Sequence, residues 1–253
     1  MAITIFLRLR HHTPGDHLPD IAAGESVCTG GAITTFDVSG ASETIPVAIN
    51  TSGTITGSFA IPPFEPGHSF VRNAGGVITT FDVPGALETI AFDINDAGQT
   101  TGVFTTPAPN GGVADHGFVR NAVGAITTFD VPGGFDTSAL GINNLGEIAG
   151  DFFDASGHVH GFLRDVAGGF TTFDVPDAFR LFDSPISTFG RHIINDSDQI
   201  AGAFVTSLNA IDSHGFLATL TVPEPGGIPL FATGLGVVAA GLLRRRRQSH
   251  HAS

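Results

Sequence analysis

Four histidines recur at one place in a repeated pattern, each followed by Gly or Ser and then Phe: His68, His116, His160 and His214. Imidazoles are candidate metal ligands or general bases, above all beside a carboxylate. Pairing of neighbouring predicted strands places His116 beside Phe129 and diagonal to Asp130. The aspartates at the matching place in each repeat are Asp37, Asp82, Asp130 and Asp174. Because an active site needs one constellation and this pair recurs in successive repeats, we interpret it as a structural hydrogen-bond network.

Asparagine-rich turns are the second candidate for chemistry. The segment from Asp93 to Gly98 holds many hard oxygen ligands of the kind that Ca²⁺ prefers. Its spacing differs from an EF-hand loop, and the sister turns beginning at Asn50 and Asn143 offer no carboxylate. We therefore predict Asx-turns, in which the side chain bonds its own backbone, with Asp196 and Asp198 as the strongest exception. No metal site and no cofactor is predicted.

The sequence contains no local signature of an enzyme. It has no Ser-His-Asp order, phosphate-binding loop or His-Glu-x-x-His helix, although residues from distant loops can still form a site. No catalytic residue is therefore predicted. Variable binding is expected instead in the irregular insertions, because loops tolerate change. These insertions are Ile61 to Gly67, Pro107 to Asp115, Ala178 to Arg191 and Ser207 to Ser213.

The elements that must position these side chains belong to an internal repeat. The segment Thr-Thr-Phe-Asp-Val ends at Val38, Val83, Val131 and Val175, at spacings of 45, 48 and 44 residues. The clearest repeat predicts four short strands separated by Asn, Asp and Gly turns. Its predicted strands are Thr89 to Ile94, Thr100 to Thr105, Gly117 to Arg120 and Ala125 to Val131.

A period of this length with four strands per unit is typical of a β-propeller blade. We therefore predict an all-β, β-propeller-like array of four four-stranded repeats over residues 31–221, after a divergent segment, residues 1–30. Gly31 to Val38 looks like a lone fourth strand, and the last repeat lacks one. If the first strand completes the last blade, the result is a closed four-bladed ring. Closure removes the two unpaired sheet edges, one on the lone first strand and one on the last blade. A truncated larger propeller or an open stack is the alternative.

Composition fits this class and excludes others. The 253 residues include 34 Gly and 22 Phe but no Trp or Tyr, so Phe must be nearly the only aromatic core residue. Frequent Gly suits tight turns between short strands. A net charge of −13 repels phosphate backbones, so no nucleic-acid partner is expected. A single cysteine, Cys28, excludes an intramolecular disulfide.

The C-terminal residues 222–253 are predicted to form a sorting and membrane-anchoring tail. Pro223, Glu224 and Pro225 precede an uncharged apolar stretch from Ile228 to Leu243. As a helix this stretch reaches about 24 Å, short of a ~30 Å hydrocarbon core, so it spans only with local thinning or snorkelling. The arginines that follow it predict a cytoplasmic end and a body outside the inner membrane. They are Arg244, Arg245, Arg246 and Arg247.

This order of motif, short helix and arginine cluster resembles the PEP-CTERM sorting signal of proteins exported by exopolysaccharide-producing Gram-negative bacteria. The resemblance implies that a membrane-embedded exosortase recognises and cuts the tail. Such proteins carry an N-terminal signal peptide, whereas Ala2 to Leu7 is a poor hydrophobic region. Either the true start lies upstream of Met1 and includes an export signal, or the gene has lost that signal, and we favour the former.

The repeats resemble the extracellular HAF repeats, whose pattern joins Ile-Asn-x-x-Gly-x-x-x-Gly to His-x-Phe. The residues that match in the second repeat are Ile94, Asn95, Gly98, Gly102, His116 and Phe118. That resemblance implies an extracellular location more than an activity.

We therefore predict an exported, non-enzymatic repeat protein of the cell envelope or surface. It is first anchored in the inner membrane, is then processed by an exosortase, and has a structural or binding role in the extracellular matrix. Extracellular polysaccharide is the expected partner. The alternative is a secreted polysaccharide lyase or hydrolase with carboxylates or histidines at the mouth of the ring.

Overall fold

The structure, a computed structural model, describes residues 25–29, 32–62, 67–109, 111–176, 180–181, 193–205 and 214–220. Within these residues the chain is all β and contains no helix, as the strand-and-turn pattern predicts. No helix among them is long and apolar enough to span a membrane. The sorting tail predicted over residues 222–253 lies outside the described residues.

The first element is a hairpin, which we call the N-terminal hairpin. Its strands are β1 (Glu25–Thr29) and β2 (Ala32–Phe36). Strand β1 lies inside the segment that the sequence analysis assigned to a divergent N-terminus. This segment therefore forms a strand although it lacks the residues of the repeat.

Three antiparallel four-stranded sheets follow, and each is a meander in chain order. Sheet 1 contains β3 (Glu43–Ile49), β4 (Ile55–Ala60), β5 (His68–Arg72) and β6 (Ile78–Phe81). Sheet 2 contains β7 (Glu88–Ile94), β8 (Thr100–Pro107), β9 (Val113–Arg120) and β10 (Ile126–Phe129). Sheet 3 contains β11 (Phe135–Ile142), β12 (Ile148–Phe153), β13 (Val159–Arg164) and β14 (Phe170–Phe173).

Sheet 4 departs from this plan because its first strand is interrupted. Its strands are β15 (Arg180–Leu181), β16 (Ile193–Ile194), β17 (Gln199–Val205) and β18 (His214–Thr219). Both β15 and β16 pair with β17, at opposite ends of the same edge. Of the insertion predicted from Ala178 to Arg191, only Arg180 and Leu181 are described, and the rest lies outside the described residues. Among the described residues, β18 has no further strand at its outer edge.

The four strands predicted for the second repeat are confirmed, with one difference at the hairpin between β8 and β9. The sequence predicted an irregular insertion from Pro107 to Asp115. The two strands instead continue pairing as far as Pro107 and Val113. Thr105 Oγ1 donates to Asp115 Oδ1 over 2.7 Å. The prediction of an irregular insertion was wrong because polar residues of the two strands bond each other here. Turn-forming residues in the sequence do not indicate such pairing.

Two glycines in each of the first three repeats have separate structural reasons, as the second repeat shows. Gly98 adopts a φ of +75° in the turn between β7 and β8, which favours a residue without a side chain. Gly102 lies in β8 with extended backbone, but a methyl group there would overlap the carbonyl oxygen of Ile90. The turn needs the first glycine, and the close approach of the two strands needs the second.

The core lies between successive sheets. One cluster joins Val119 and Phe129 of sheet 2 to Ile142 and Phe162 of sheet 3, and equivalent clusters join the other neighbours. The Phe of each Thr-Thr-Phe segment meets a Phe of the following sheet, with ring centroids 6.0–6.4 Å apart. The expectation that Phe forms the aromatic core is confirmed, since the largest fully buried side chains are Phe70, Phe118 and Phe162.

Polar contacts reinforce the junctions from the N-terminal hairpin to sheet 3. The guanidinium of Arg120 lies 4.8 Å from the ring centroid of Phe81 in the preceding sheet, and burial lowers its pKa. The backbone N–H of Val83 donates to the hydroxyl of buried Thr89 over 3.0 Å. The same two contacts recur at neighbouring junctions. These residues hold one sheet to the next.

The predicted closure of the ring is not found among the residues that the structure describes. Strand β2, which lies within the segment Gly31 to Val38, pairs with β1, and β18 pairs with β17 alone among described strands. The prediction that this segment completes the last sheet is therefore wrong. When β2 pairs with β1, the loop between the two strands is very short. Pairing of β2 with β18 would close a loop that contains nearly the whole domain, at a greater entropic cost.

Candidate functional site

The four Ile-Asn turns, one from each sheet, surround one cavity of about 350 Å³. Each turn joins the first strand of its sheet to the second and contributes three consecutive residues. The lining residues are Ile49, Asn50, Thr51, Ile94, Asn95, Asp96, Ile142, Asn143, Asn144, Ile194, Asn195 and Asp196. The same three positions of each repeat thus line the cavity.

Each asparagine closes its own turn, as the Asx-turn interpretation predicts. Asn95 Oδ1 accepts from the N–H of Gln99 over 2.9 Å, and Asn143 Oδ1 accepts from the N–H of Glu147 over 2.8 Å. Asn50 Oδ1 accepts from the N–H of Thr54 over 2.9 Å. The asparagine of sheet 4 makes the same contact. The local turn therefore uses the side-chain oxygen of every repeated asparagine.

The side-chain amides of the same asparagines connect the sheets, which the sequence analysis missed. Asn50 Nδ2 donates to the carbonyl of Asn95 over 3.0 Å, and Asn95 Nδ2 donates to the carbonyl of Asn143 over 3.0 Å. Asn143 Nδ2 continues to the carbonyl of Asn195 over 3.1 Å. We call this chain of contacts the asparagine ladder. The in-phase recurrence of Ile-Asn was its signal, but single-strand reasoning assigned only the local turn.

A second set of contacts runs beside the asparagine ladder. The N–H of Thr51 donates to Asp96 Oδ1 over 2.8 Å, and this backbone hydrogen bond holds the pKa of Asp96 below its ordinary value. The N–H of Asp96 donates to Asn144 Oδ1 over 2.9 Å, and that of Asn144 donates to Asp196 Oδ1 over 2.8 Å. Oxygens that sequence reasoning considered for calcium thus accept hydrogen bonds from neighbouring turns.

A carboxyl group near this cavity differs from its sister positions. Glu147 stands where the second and fourth repeats have glutamine, and it accepts from Asn143 Nδ2 over 2.6 Å. Burial raises the pKa of Glu147, and the nearby carboxyls of Asp198 and Asp165 add to the rise. Gln99 accepts the equivalent amide without a charge. Asp198, the remaining calcium candidate, therefore lies beside another carboxyl group, and no cluster of metal-binding type occurs among the described residues.

The predicted proximity of His116 and Asp130 is present, and the first and third sheets contain the equivalent pair. His68 Nδ1 lies 2.9 Å from Asp82, and His116 Nδ1 lies 2.8 Å from Asp130. The distance from His160 Nδ1 to Asp174 is 2.5 Å. Each imidazole also lies against the ring of a phenylalanine on the second strand, at 5.0–5.3 Å between centroids. Each histidine is thus fixed between a ring and a carboxylate of its own sheet.

His214 and Asp37 do not join such a pair in the described structure. His214 keeps the contact with Phe204, at 5.3 Å between centroids, but lies on β18, and no described strand follows β18 to supply an aspartate. Asp37 follows β2, and the described residues of its partner strand β1 include no histidine. The two unmatched residues belong to the two ends of the array.

His160 has a second carboxylate that distinguishes it from the other described pairs. Its Nε2 lies 3.3 Å from Asp154, so both ring nitrogens face an acidic side chain. The hydrogen bond with Asp174 is the main cause of a raised pKa of His160, and Asp154 adds to it. The pKa of Asp154 is lowered, chiefly by the backbone N–H of His158 and also by Ser156. No sequence signal indicated Asp154.

No family model matches this chain, and no curated protein matches it.

Proposed function

We propose that this protein is an exported, non-enzymatic scaffold of the cell envelope or extracellular matrix. In this proposal an exosortase processes it through Pro223, Glu224 and Pro225 after transient anchoring in the inner membrane. The order of motif, apolar stretch and arginine cluster in the sequence supports the sorting half. The body is a propeller-like array of stacked sheets.

One observation carries the scaffold half of the proposal, namely the lining of the cavity. All of its residues occupy equivalent positions in successive repeats, and the turn asparagines bind their own turns and neighbouring sheets. A catalytic pocket needs several different polar groups that converge on one reacting atom. The histidines point to the same conclusion, because His68, His116 and His160 each bond an aspartate of their own sheet. Repeated polar groups of this kind favour assembly and binding over catalysis.

The sorting proposal is tested in the producing strain. We expect deletion of the exosortase to leave the full-length protein in the membrane fraction, as should replacement of Pro223, Glu224 and Pro225 by alanine. Pro132→Ala, at an exposed turn between sheets, is the matched control and should be processed normally. Unchanged size and release in the deletion strain would contradict the proposal.

The scaffold proposal is tested with the purified chain and the exopolysaccharide of the producing strain. We expect co-sedimentation of protein and polysaccharide without new reducing or unsaturated chain ends. Formation of such ends, lost on heat denaturation of the protein, would instead support the alternative of a polysaccharide hydrolase or lyase.

A further inference from the structure

Each internal junction between sheets joins two different faces. We call the face that packs against the following sheet the trailing face, and the face that packs against the preceding sheet the leading face. At the junction of sheets 3 and 4, Ala149 and Leu163 form the trailing face, and Ile194 and Ile200 form the leading face. The junction of sheets 2 and 3 repeats this plan, with Val119 against Ile142. The contact is therefore heterologous, with unlike surfaces on its two sides.

No described residue covers the trailing face of sheet 4 around Leu217. Leu217 occupies the position of Leu163, three residues after the repeated histidine, yet it is 67% exposed whereas Leu163 is 1% exposed. Ala201 occupies the position of Ala149 and is likewise exposed, while Ala149 is fully buried. The last sheet thus presents to solvent the apolar surface that sheet 3 buries.

The inner part of the leading face of sheet 1 is likewise left exposed by the residues that the structure describes. Ile49 is 38% exposed, while its equivalents Ile94, Ile142 and Ile194 are 5%, 5% and 8% exposed. The N-terminal hairpin covers only the outer part of this face, where Phe36 packs with Phe59 and Phe70. The array therefore ends in two unlike surfaces, each of which is half of an interface that the chain already forms internally.

The polar contacts end in the same complementary way. Among the described residues, the asparagine ladder starts at Asn50 and stops at Asn195. Asn195 Nδ2 bonds Gln199 within its turn, and the carbonyl of Asn50 accepts the N–H of Gly53 within its own. At the internal junctions the equivalent amide and carbonyl also bond each other across sheets. One further step of the asparagine ladder would thus join the side-chain amide of Asn195 to the backbone carbonyl of an Asn50.

We propose that these two end surfaces bind each other between copies of this chain, so that the protein associates head to tail. The trailing face around Leu217 and Ala201 packs on the leading face around Ile49 of a second copy. A second copy fits because it supplies the same partner surface that the three internal junctions use. This proposal does not depend on the sorting tail or on export.

The primary test measures the mass of the full chain in a mild detergent, since the predicted apolar tail is common to all variants. We expect the wild type to form oligomers, and Leu217→Asp and Ile49→Asp to be monomeric by mass photometry. Each variant retains one functional face, so an equimolar mixture of the two should form dimers and nothing larger. Val123→Asp, at a 91% exposed turn residue on neither face, should assemble like wild type.

Cross-linking distinguishes association between copies from closure of one chain on itself. With Cys28 replaced by serine, a chain carrying both Ile49→Cys and Leu217→Cys is treated with a short bismaleimide. We expect a ladder of linked copies on a denaturing gel. Since both side chains are exposed in the single chain, an unchanged thermal unfolding midpoint checks that each variant is folded.

Two results would overturn the proposal. One is a monomeric wild type at every concentration with no linked copies. The other is a double-cysteine chain that yields only an internally linked monomer, which would indicate ring closure in solution. Net charge gives a further check: at −13, repulsion between copies is screened by salt, so oligomers should increase with ionic strength.

Discussion

At the residue scale, the repeated histidines occupy one kind of position but different electrostatic surroundings. His68 and His116 each face a single aspartate, whereas His160 lies between Asp174 and Asp154. A carboxylate near an imidazole favours its protonated form, and a second one strengthens the effect. Sheet 3 is therefore where protonation should couple most clearly to folding.

His160 should stabilise the fold more at acidic than at alkaline pH. Its pKa in the folded protein is raised above the ordinary value of 6.5, so its contribution is complete below that value and is lost as pH rises through the folded pKa. We expect the difference in free energy of unfolding between wild type and His160→Gln to be larger at acidic pH than at alkaline pH. Urea unfolding at both ends of this range measures it.

NMR titration of the His160 ring gives an independent check, with an apparent pKa above 6.5 expected. Asp154→Asn should reduce that rise while it leaves the contact with Asp174. A difference in stability that is the same at both pH values would contradict the prediction.

Glu147→Gln should stabilise the protein at neutral pH. Burial raises the pKa of Glu147, so the folded state disfavours its ionised form, and this cost disappears as pH falls through the folded pKa. Glutamine can still accept from Asn143 Nδ2, as Gln99 accepts from Asn95. We expect a rise of a few degrees in the unfolding midpoint at neutral pH and little change in acid, by calorimetry.

The reverse exchange in sheet 2 is the matched control for this prediction. Gln99→Glu should lower the midpoint at neutral pH and have a smaller effect in acid, because it introduces the charge where the fold has an amide. Stabilisation by Glu147→Gln that persists unchanged in acid would exclude a charge effect as its cause.

At the scale of the element, the turn between the first and second strands has two tasks in every sheet. The side-chain oxygen of Asn95 closes its own turn, while its amide holds the next sheet. The turn between the third and fourth strands has only the first task, since Asn121 Oδ1 accepts from Val123 and Ala125 of its own hairpin. Both kinds of turn therefore stabilise their own hairpin, but only the turn between the first and second strands also binds the next sheet.

Asn95→Asp should destabilise the protein, whereas Asn121→Asp should be nearly neutral. Both retain an oxygen that closes the turn, but Asn95→Asp replaces a donor to a buried carbonyl by an acceptor. Loss of a buried hydrogen bond with an unsatisfied partner costs about 1–3 kcal/mol. Exposed substitutions usually stay within about 0.5 kcal/mol.

Chemical denaturation at neutral pH measures both variants against the wild type. Equal effects of Asn95→Asp and Asn121→Asp would mean that the asparagine ladder contributes nothing beyond its turns.

At the scale of the whole molecule, stability should behave as that of a stack. Each sheet contacts its neighbours in the chain, and the first and last sheets are not joined by strand pairing in the described structure. In such arrays the loss of a terminal unit removes one interface and leaves distant ones intact. A closed ring would instead transmit the loss to every sheet.

Deletion of Gly31 to Val38 tests this difference directly. It removes β2 together with Val38 and Phe36, which pack on Phe59 and Phe70 of sheet 1. We expect amide hydrogen exchange to accelerate in β3–β6, while β11–β14 keep their protection. Equal loss of protection in both sheets would contradict an open array.

The sequence by itself determined the all-β class, the four-strand unit and the contacts inside it. Periodic strands, Asn and Gly turns and the place of His116 against Asp130 all depend on residues close in the chain, where short loops fix the register. The tail and its sorting role stay predictions of the sequence.

Only the tertiary structure decided how the units meet. The amide of Asn95 could serve its turn or the next sheet, and Asp154 has no signal of its own beside His160. Likewise, the phase of the repeats favoured β2 as the partner of the last sheet, but a neighbouring strand, β1, pairs with it. Which of these partners a residue or strand binds depends on surfaces that are distant in the sequence. The alternating residue pattern of a strand is compatible with any partner strand in the right register. That competition leaves Ile49 and Leu217 exposed at the two ends of the array.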